Sequence, residues 1–153
     1  MEMDDYFMGL ALEEAEKGRL LDEVPVGAVL VAADGHVLSK AHNQPIGSND
    51  PTAHAEVVAI RSGCAGVGNY RLSGTVLYVT LEPCAMCVGA MLHARVDRLV
   101  FGAYDPRSGS AGSVLDLTDV GRFNHRIEVT GGVMAAECAD ILRRFFKARR
   151  GRK

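Results

Sequence analysis

The chain has 153 residues, of which 48% are hydrophobic, and this is enough to build the core of one domain. No repeat, low-complexity segment or linker divides the sequence, so we expect a single domain over residues 1–153. No run approaches the ~20 consecutive apolar residues that a membrane helix needs, and residues 1–5 are acidic where a secretion signal would be basic. The composition therefore excludes a membrane-spanning protein, and we expect a cytoplasmic location.

Hydrophobic periodicity predicts helices and strands that alternate along the chain. An Asp34-Gly35 turn between the first two strands indicates a hairpin, and the later alternation indicates crossover connections. We therefore expect an α/β fold, a three-layer α/β/α sandwich around a mixed sheet of about five strands. The predicted helices are 4–17, 55–61, 84–93 and 134–150, the predicted strands are 26–32, 36–41, 75–81, 96–101 and 126–130, and the main predicted loops are 43–53 and 102–119.

The chain has four cysteines, too few and too unevenly placed for a disulfide framework. Reduced thiols or metal ligands are the expected use. Cys84 and Cys87 follow a strand directly, at the start of a helix that Pro83 opens. Three residues apart on one helical turn, the two sulfurs can face the same point, and the helix N-terminus favours their thiolate forms.

A third metal ligand is available in His54, at another loop that leads into a helix. Three protein ligands with a fourth position open to water are typical of a catalytic zinc, whereas a structural zinc takes four protein ligands. Glu56 can reach the metal's water if it and His54 both project from the first turn of the helix. We therefore predict one zinc ion per chain, bound by His54, Cys84 and Cys87, with Glu56 as the catalytic residue.

These residue types suit the hydrolytic removal of an exocyclic amine. Zinc lowers the pKa of its bound water to roughly 7, so that hydroxide is available at neutral pH. Glu56 can take the proton of that water, deliver it to the ring nitrogen beside the attacked carbon, and then protonate the departing ammonia.

Each motif taken alone has a simpler explanation. A Cys-x-x-Cys motif is often a redox pair or half of a zinc knuckle, and a lone histidine at a helix start is usually a hydrogen-bonded structural residue. The combination of both motifs, with Pro83 before the first cysteine and a loop or strand before each helix, favours a catalytic zinc.

The motifs His54-Ala55-Glu56 and Pro83-Cys84-Ala85-Met86-Cys87 match the signature of the zinc deaminases. Over nearly its whole length the chain also resembles the bacterial tRNA-specific adenosine deaminases. The segments that carry this resemblance are EVPVGAV (23–29), NQPIG (43–47), DPTAHAE (50–56), NYRL (69–72), LYVTLEPC (77–84) and VFGA (100–103).

The resemblance implies a cytidine-deaminase-like sandwich and a homodimer that converts adenosine to inosine at wobble position 34 of a tRNA anticodon, usually that of arginine tRNA. It also implies substrate-binding positions. Asn43 falls where this family contacts the flipped base, and Asp105 lies on the loop that touches neighbouring nucleotides. Phe145 and Phe146 fall on the terminal helix that borders the groove for the anticodon loop.

The C-terminal segment at about 134–153 is predicted to be a basic helix and tail. Residues 143–153 contain seven of the 17 basic residues of the chain and no acidic one. Cations neutralise phosphates and aromatic rings accept unstacked bases, so the segment suits single-stranded loop RNA. A solvated helix end with its phenylalanines in the core is the alternative that composition alone leaves open.

Two other functional classes stay open from the sequence. A deaminase of free guanine, cytosine or cytidine would share the zinc site but would not need the basic tail. A noncatalytic RNA-binding module with a structural zinc would need a fourth protein ligand.

Overall fold

The computed structural model describes residues 2–151, so Met1, Arg152 and Lys153 lie outside the described residues. Within this range, no helix combines the length and the apolar character needed to cross a membrane. The helices are α1 (Glu2–Leu20), α2 (Pro45–Ser48), α3 (Ala55–Val67), α4 (Ala85–Ala94) and α5 (Ala135–Arg150), and the strands are β1 (Gly27–Val31), β2 (Val37–His42), β3 (Val76–Leu81), β4 (Arg98–Ala103) and β5 (Glu128–Thr130).

The strands form one sheet in the order β2-β1-β3-β4-β5. Strand β1 pairs antiparallel with both β2 and β3, whereas β3 pairs parallel with β4, and β4 with β5. The predicted mixed sheet of five strands and the predicted hairpin are therefore confirmed.

Helices cover both faces of this sheet. Because side chains alternate along a strand, Leu77 and Val79 of β3 enter one apolar cluster and Tyr78 the other. The first cluster includes Ala59 and Ile60 of α3 with Val88 and Met91 of α4, and the second includes Phe7 and Met8 of α1 with Cys138 of α5. The three-layer α/β/α sandwich is confirmed.

Several predicted boundaries were wrong. The predicted loop 43–53 contains the short helix α2, and the third helix runs on past residue 61 to Val67, where Gly68 ends it in the left-handed conformation. The strand predicted at 96–101 starts two residues later, at Arg98, because the backbone N–H of Val96 still donates to the carbonyl of Met91 at the end of α4.

The topology brings four chain segments to one edge of the sheet. Strands β2, β3 and β4 end at this edge, and β1, which runs antiparallel to β3, begins there. The segments after β2, β3 and β4 are those that carry Asn43, Cys84 and Asp105. The candidate site is built at this edge.

Candidate metal and substrate site

The predicted metal ligands lie at two helix starts that face each other. His54 is the N-cap residue of α3 and Cys84 is the N-cap residue of α4, both with extended backbone conformations. Cys87 lies on the first turn of α4. The positive ends of two helix dipoles therefore point toward one place, which favours thiolate and carboxylate groups there.

The three ligand atoms fit a tetrahedral zinc ion. His54 Nδ1 lies 3.7 Å from Cys84 Sγ and 3.5 Å from Cys87 Sγ, and the two sulfurs are 3.8 Å apart. Ordinary zinc bond lengths at tetrahedral angles place two sulfurs about 3.8 Å apart and a sulfur and nitrogen about 3.6 Å apart. Among residues 2–151, these three side chains are the group of histidine, cysteine or acidic residues close enough to hold a metal.

The two thiols are electrostatically unequal. Hydrogen bonds with Cys87 and then with His54 lower the pKa of the Cys84 thiol to about 4. The hydrogen bond with Cys84 and burial raise the pKa of the Cys87 thiol. The pKa values of the two thiols are thus shifted in opposite directions, and a divalent cation bound between them would favour the thiolate form of both.

Glu56 lies on the first turn of α3 and is almost completely buried. Burial raises the pKa of its carboxyl above the usual range, although the positive charge of His54 acts in the opposite direction. Its carboxylate interacts with the Cys87 thiol but does not belong to the three-residue ligand group. A carboxyl beside a metal site, with a raised pKa, is suited to accepting and returning a proton near neutral pH.

Asn43 connects the end of β2 to the start of α3. Its side-chain oxygen Oδ1 accepts a hydrogen bond from the backbone N–H of Ala55 at 2.7 Å. The amide nitrogen Nδ2 is the remaining polar group of this side chain, and Asn43 lines the cavity that contains the site. Asn43 can therefore donate a hydrogen bond to a ligand while its oxygen stabilises the helix that carries His54 and Glu56.

The site cavity has a volume of about 250 Å³. The polar side chains that line it include His54, Glu56, Cys84, Asn43 and Asp105. The rest of the lining consists of the polar residues Glu82 and Ser108 and the apolar residues Val24, Val26, Pro45 and Leu81. A planar ring with a few polar edge atoms suits a cavity of this composition.

A wider groove of about 470 Å³ adjoins the cavity, and Asp105 belongs to the walls of both. Phe146 of α5 is 42% exposed and lines this groove together with Arg107 and Arg150. The Asp105 carboxylate accepts hydrogen bonds from the backbone and side chain of Ser108, which hold the loop in a tight turn. The groove therefore offers one aromatic face and two cations next to the metal site.

Phe145 is placed differently from Phe146. It is buried, packs edge-on against Phe146 at 5.4 Å between ring centroids, and accepts the Arg149 guanidinium over its ring at 5.1 Å. Phe145 thus packs beneath the exposed ring of Phe146, its neighbour on α5. The tail residues Arg152 and Lys153 lie outside the described residues.

Two buried carboxylates near the cavity were not predicted from the sequence. Glu23 accepts hydrogen bonds from the backbone N–H groups of Ile46 and Gly47, and Glu82 accepts four hydrogen bonds from the 105–113 loop. A glutamate directly after an apolar strand and before Pro83 is the sequence signal that could have indicated a buried, partnered charge at position 82.

Sequence comparison finds related proteins of similar length. Residues 1–103 match the family described as the cytidine and deoxycytidylate deaminase zinc-binding region. A tRNA-specific adenosine deaminase of Haemophilus influenzae is 49% identical over 152 residues, covering 99% of this chain and 88% of that protein. A tRNA-specific adenosine deaminase of Bacillus subtilis is 44% identical over 153 residues, covering 100% of this chain and 94% of that protein.

Structural comparison gives the same result. A solved structure from work on A-to-I editing by tRNA:A34 deaminases at the wobble position of transfer RNA superposes with a TM-score of 0.86. It is 45% identical in sequence, and the match covers 90% of this chain and 99% of that one. This agreement confirms the fold class predicted from the sequence.

Proposed function

Because the chain belongs to the zinc-binding deaminase family and, within it, to the tRNA-specific adenosine deaminases, we propose that it converts adenosine to inosine at the wobble position of tRNA anticodons. The observation that carries the proposal is the tetrahedral spacing of His54, Cys84 and Cys87 beside a buried glutamate in a small cavity. Arginine tRNA is the proposed substrate species, and the cytoplasm the proposed location.

One zinc ion per chain is the proposed cofactor, held by His54 Nδ1, Cys84 Sγ and Cys87 Sγ. When bound, zinc supplies a strongly acidified water molecule, whose pKa falls from ~16 to roughly 7. The chain contributes no fourth ligand to this group among the residues that the structure describes. An open position for water separates this arrangement from a structural zinc in a noncatalytic RNA-binding module.

Glu56 is the proposed proton carrier. Its buried carboxylate would accept one proton of the attacking water and pass it to the ring nitrogen beside the attacked carbon. It would then take the second proton of the same oxygen and deliver it to the departing amine, which leaves as ammonia while the carbonyl of inosine forms. Burial raises the pKa of the Glu56 carboxyl, which favours a group that can hold a proton between the two transfers.

Asn43 is the proposed contact to the base. Since its Oδ1 is occupied by the Ala55 N–H, Asn43 acts as a donor through Nδ2 and reads an acceptor on the base edge. The adenosine must leave its stack to reach the cavity, and a loop base does so at low cost.

The adjoining groove is the proposed site for nucleotides that flank the reacting adenosine. The exposed face of Phe146, supported by Phe145, can stack on an unpaired base, while Arg150 can contact a phosphate. Asp105 lies between the groove and the cavity, so its loop meets RNA next to the flipped base.

We also propose a homodimer. Helix α4 is almost wholly apolar, and its surface carries Met86 at 38% exposure. A cavity of about 400 Å³ lined by Leu92 and by the exposed ring of Phe123 lies beside this helix. Apolar surface on the outer side of a core helix suits contact with a second copy of the chain.

The test is inosine formation in an arginine-tRNA anticodon stem-loop with adenosine at the wobble position. We expect this RNA to react far faster than free adenosine or the same sequence in a duplex, because contacts remote from the reacting carbon position it. Equal rates on free adenosine, or faster ammonia release from guanine, cytosine or cytidine, would instead assign the chain to free nucleobase or nucleoside deamination.

A further inference from the structure

Glu82 is a charged side chain that the mechanism does not use, although it is only 2% exposed. It follows Leu81, the last residue of β3, and precedes Pro83 and the metal-binding residue Cys84. A buried carboxylate is costly unless its oxygens receive hydrogen bonds.

Four donors from a single loop satisfy this carboxylate. Oε1 accepts from the backbone N–H of Asp105 at 3.0 Å and from the Ser113 hydroxyl. Oε2 accepts from the backbone N–H groups of Ala111 at 3.1 Å and Ser113 at 3.0 Å. Every partner is a donor, so both carboxylate oxygens act as acceptors only.

Residue 109 shows how closely the loop approaches the carboxylate. A Cβ on Gly109 would lie 2.4 Å from the carboxyl carbon of Glu82, so any larger residue would push the two apart. The backbone N–H of Ser110 also donates to the carbonyl of Pro83 at 2.9 Å. The 105–113 loop is therefore bound both to the Glu82 side chain and to the Pro83 backbone, directly before Cys84.

The 105–113 loop also forms part of the walls of the site cavity and of the adjoining groove. Asp105 and Ser108 line both the site cavity and the adjoining groove. The distance between the metal ligands and these walls therefore depends on the hydrogen bonds to Glu82. A displacement of about 1 Å in such an arrangement can lower a rate by ~10²-fold.

We propose that Glu82 is a positioning residue, whose carboxylate sets the 105–113 loop at the correct distance from the metal ligands so that bound RNA presents its adenosine for reaction. This inference rests on the proposed RNA deaminase function. It assigns Glu82 no contact with substrate and no proton to transfer.

The first test is Glu82→Gln, which exchanges one acceptor oxygen for an NH₂ donor. The glutamine oxygen can still accept the hydrogen bonds from the backbone N–H groups of Ala111 and Ser113. Its NH₂ group faces the Asp105 N–H, so that two donors meet and this hydrogen bond is lost. We expect unchanged zinc content, faster hydrogen exchange at the Asp105 amide, and a kcat on the stem-loop at least ~10-fold lower. RNA affinity, measured by fluorescence anisotropy, should change less than kcat.

The second test displaces the loop and leaves Glu82 in place. The Cβ of Gly109→Ala collides with the carboxylate, so this variant should lower kcat while retaining zinc. Gly121→Ala is the matched control, since a Cβ there meets no atom within 4 Å. It should behave as the wild type. Gly109→Ala also replaces the first test if Glu82→Gln does not fold.

The outcomes separate this inference from the function on which it rests. If the wild-type protein makes no inosine, both the proposed function and the positioning role of Glu82 are overturned. An active wild type with equally active Glu82→Gln and Gly109→Ala variants overturns the positioning role alone. A loss of activity that only follows lost zinc or lost folded fraction also overturns it, because it would make Glu82 a stability residue.

Discussion

The side-chain oxygen of Asn43 lies 2.7 Å from the backbone nitrogen of Ala55 and accepts its hydrogen bond. Since Ala55 opens α3 between His54 and Glu56, this contact stabilises the helix start that holds a metal ligand and the proton carrier. The same side chain lines the cavity. Asn43 thus has a structural oxygen and a functional nitrogen, and substitutions can separate the two.

Asn43→Asp should retain the helix contact and lose the donor to the base. We expect near-wild-type zinc content and melting temperature, with a strongly reduced kcat/KM on the stem-loop. Asn43→Ala loses both groups and should also cost about 1 kcal/mol of stability, as expected for a lost helix cap. Thermal unfolding and inosine formation measure the two effects. An Asn43→Asp variant with full activity would contradict a donor role.

Removal of either thiol should remove the metal. Cys84→Ala and Cys87→Ala each leave two protein ligands, so both zinc content and turnover should fall to near background. Cys64→Ala is the control, because its thiol lies apart from the ligand group and only donates weakly to the Tyr70 carbonyl. Elemental analysis of purified protein gives the zinc content. Stoichiometric zinc in either ligand variant would refute the assignment.

Glu56→Gln should separate metal binding from catalysis. The amide keeps the size of the side chain but cannot carry a proton between water and the base. We expect retained zinc, retained RNA binding and a turnover lower by the ~10²- to 10⁴-fold typical of a lost general acid or base. Loss of zinc in this variant would make Glu56 a metal ligand. The exposed Glu128→Gln serves as a control for the substitution itself.

The metal group was predictable from sequence because its information is local. Cys84 and Cys87 share one helical turn, and His54 sits at the start of another, so spacing and helix position together fixed the chemistry. The opposition of the two helix starts depends on the sheet order, which periodicity alone did not specify. Five strands and both covered faces were nevertheless predicted, because alternating strands and helices leave few other arrangements.

The missed features depend on contacts distant in sequence. Helix α2 lies in a segment rich in proline and glycine. Two backbone N–H groups of this helix donate to the buried Glu23, which lies 23 and 24 residues away in sequence. Helix α3 continues through Gly63 although glycine is a poor helix former. The close packing of the helix on the sheet leaves no room for a larger residue, since a Cβ there would lie 2.4 Å from the Leu30 side chain. Packing has overridden local propensity in this helix.

Asp4 provides a test of fold stability that is independent of the site. Its carboxylate receives two hydrogen bonds from the Arg98 guanidinium, at 2.8 and 3.0 Å, and one from the Tyr78 hydroxyl. It thereby connects α1 to β3 and β4. Asp4→Asn should cost about 1.5–3 kcal/mol, as for hydrogen bonds to charged groups. The corresponding drop in melting temperature is roughly 5–10 °C.

The pH dependence of this difference follows from the Asp4 carboxyl. The Arg98 hydrogen bond lowers its pKa in the folded state, although burial acts against this. Its stabilising effect is therefore complete above the unfolded pKa of about 3.9 and is lost as pH falls through the lower folded value. The wild-type and Asp4→Asn melting temperatures should differ most near pH 6–7 and converge in acid. A gap independent of pH would show that charge plays no part.

Arg150 tests whether α5 contacts RNA through its charge. It lines the groove beside Phe146, so we expect its guanidinium to neutralise one phosphate of a bound anticodon loop. Each phosphate contact on single-stranded RNA contributes about 0.7 to the slope of log affinity against log salt, through counterion release. Arg150→Ala should flatten that slope by about this amount and weaken binding most at low salt.

Lys40→Ala is the matched control, because Lys40 is an exposed cation on β2, outside the residues that line the groove or the cavity. Titrations of labelled stem-loop over a range of salt concentrations measure both slopes. Equal slopes for Arg150→Ala and the wild type would leave the end of α5 as a solvated helix terminus and remove it from the RNA surface.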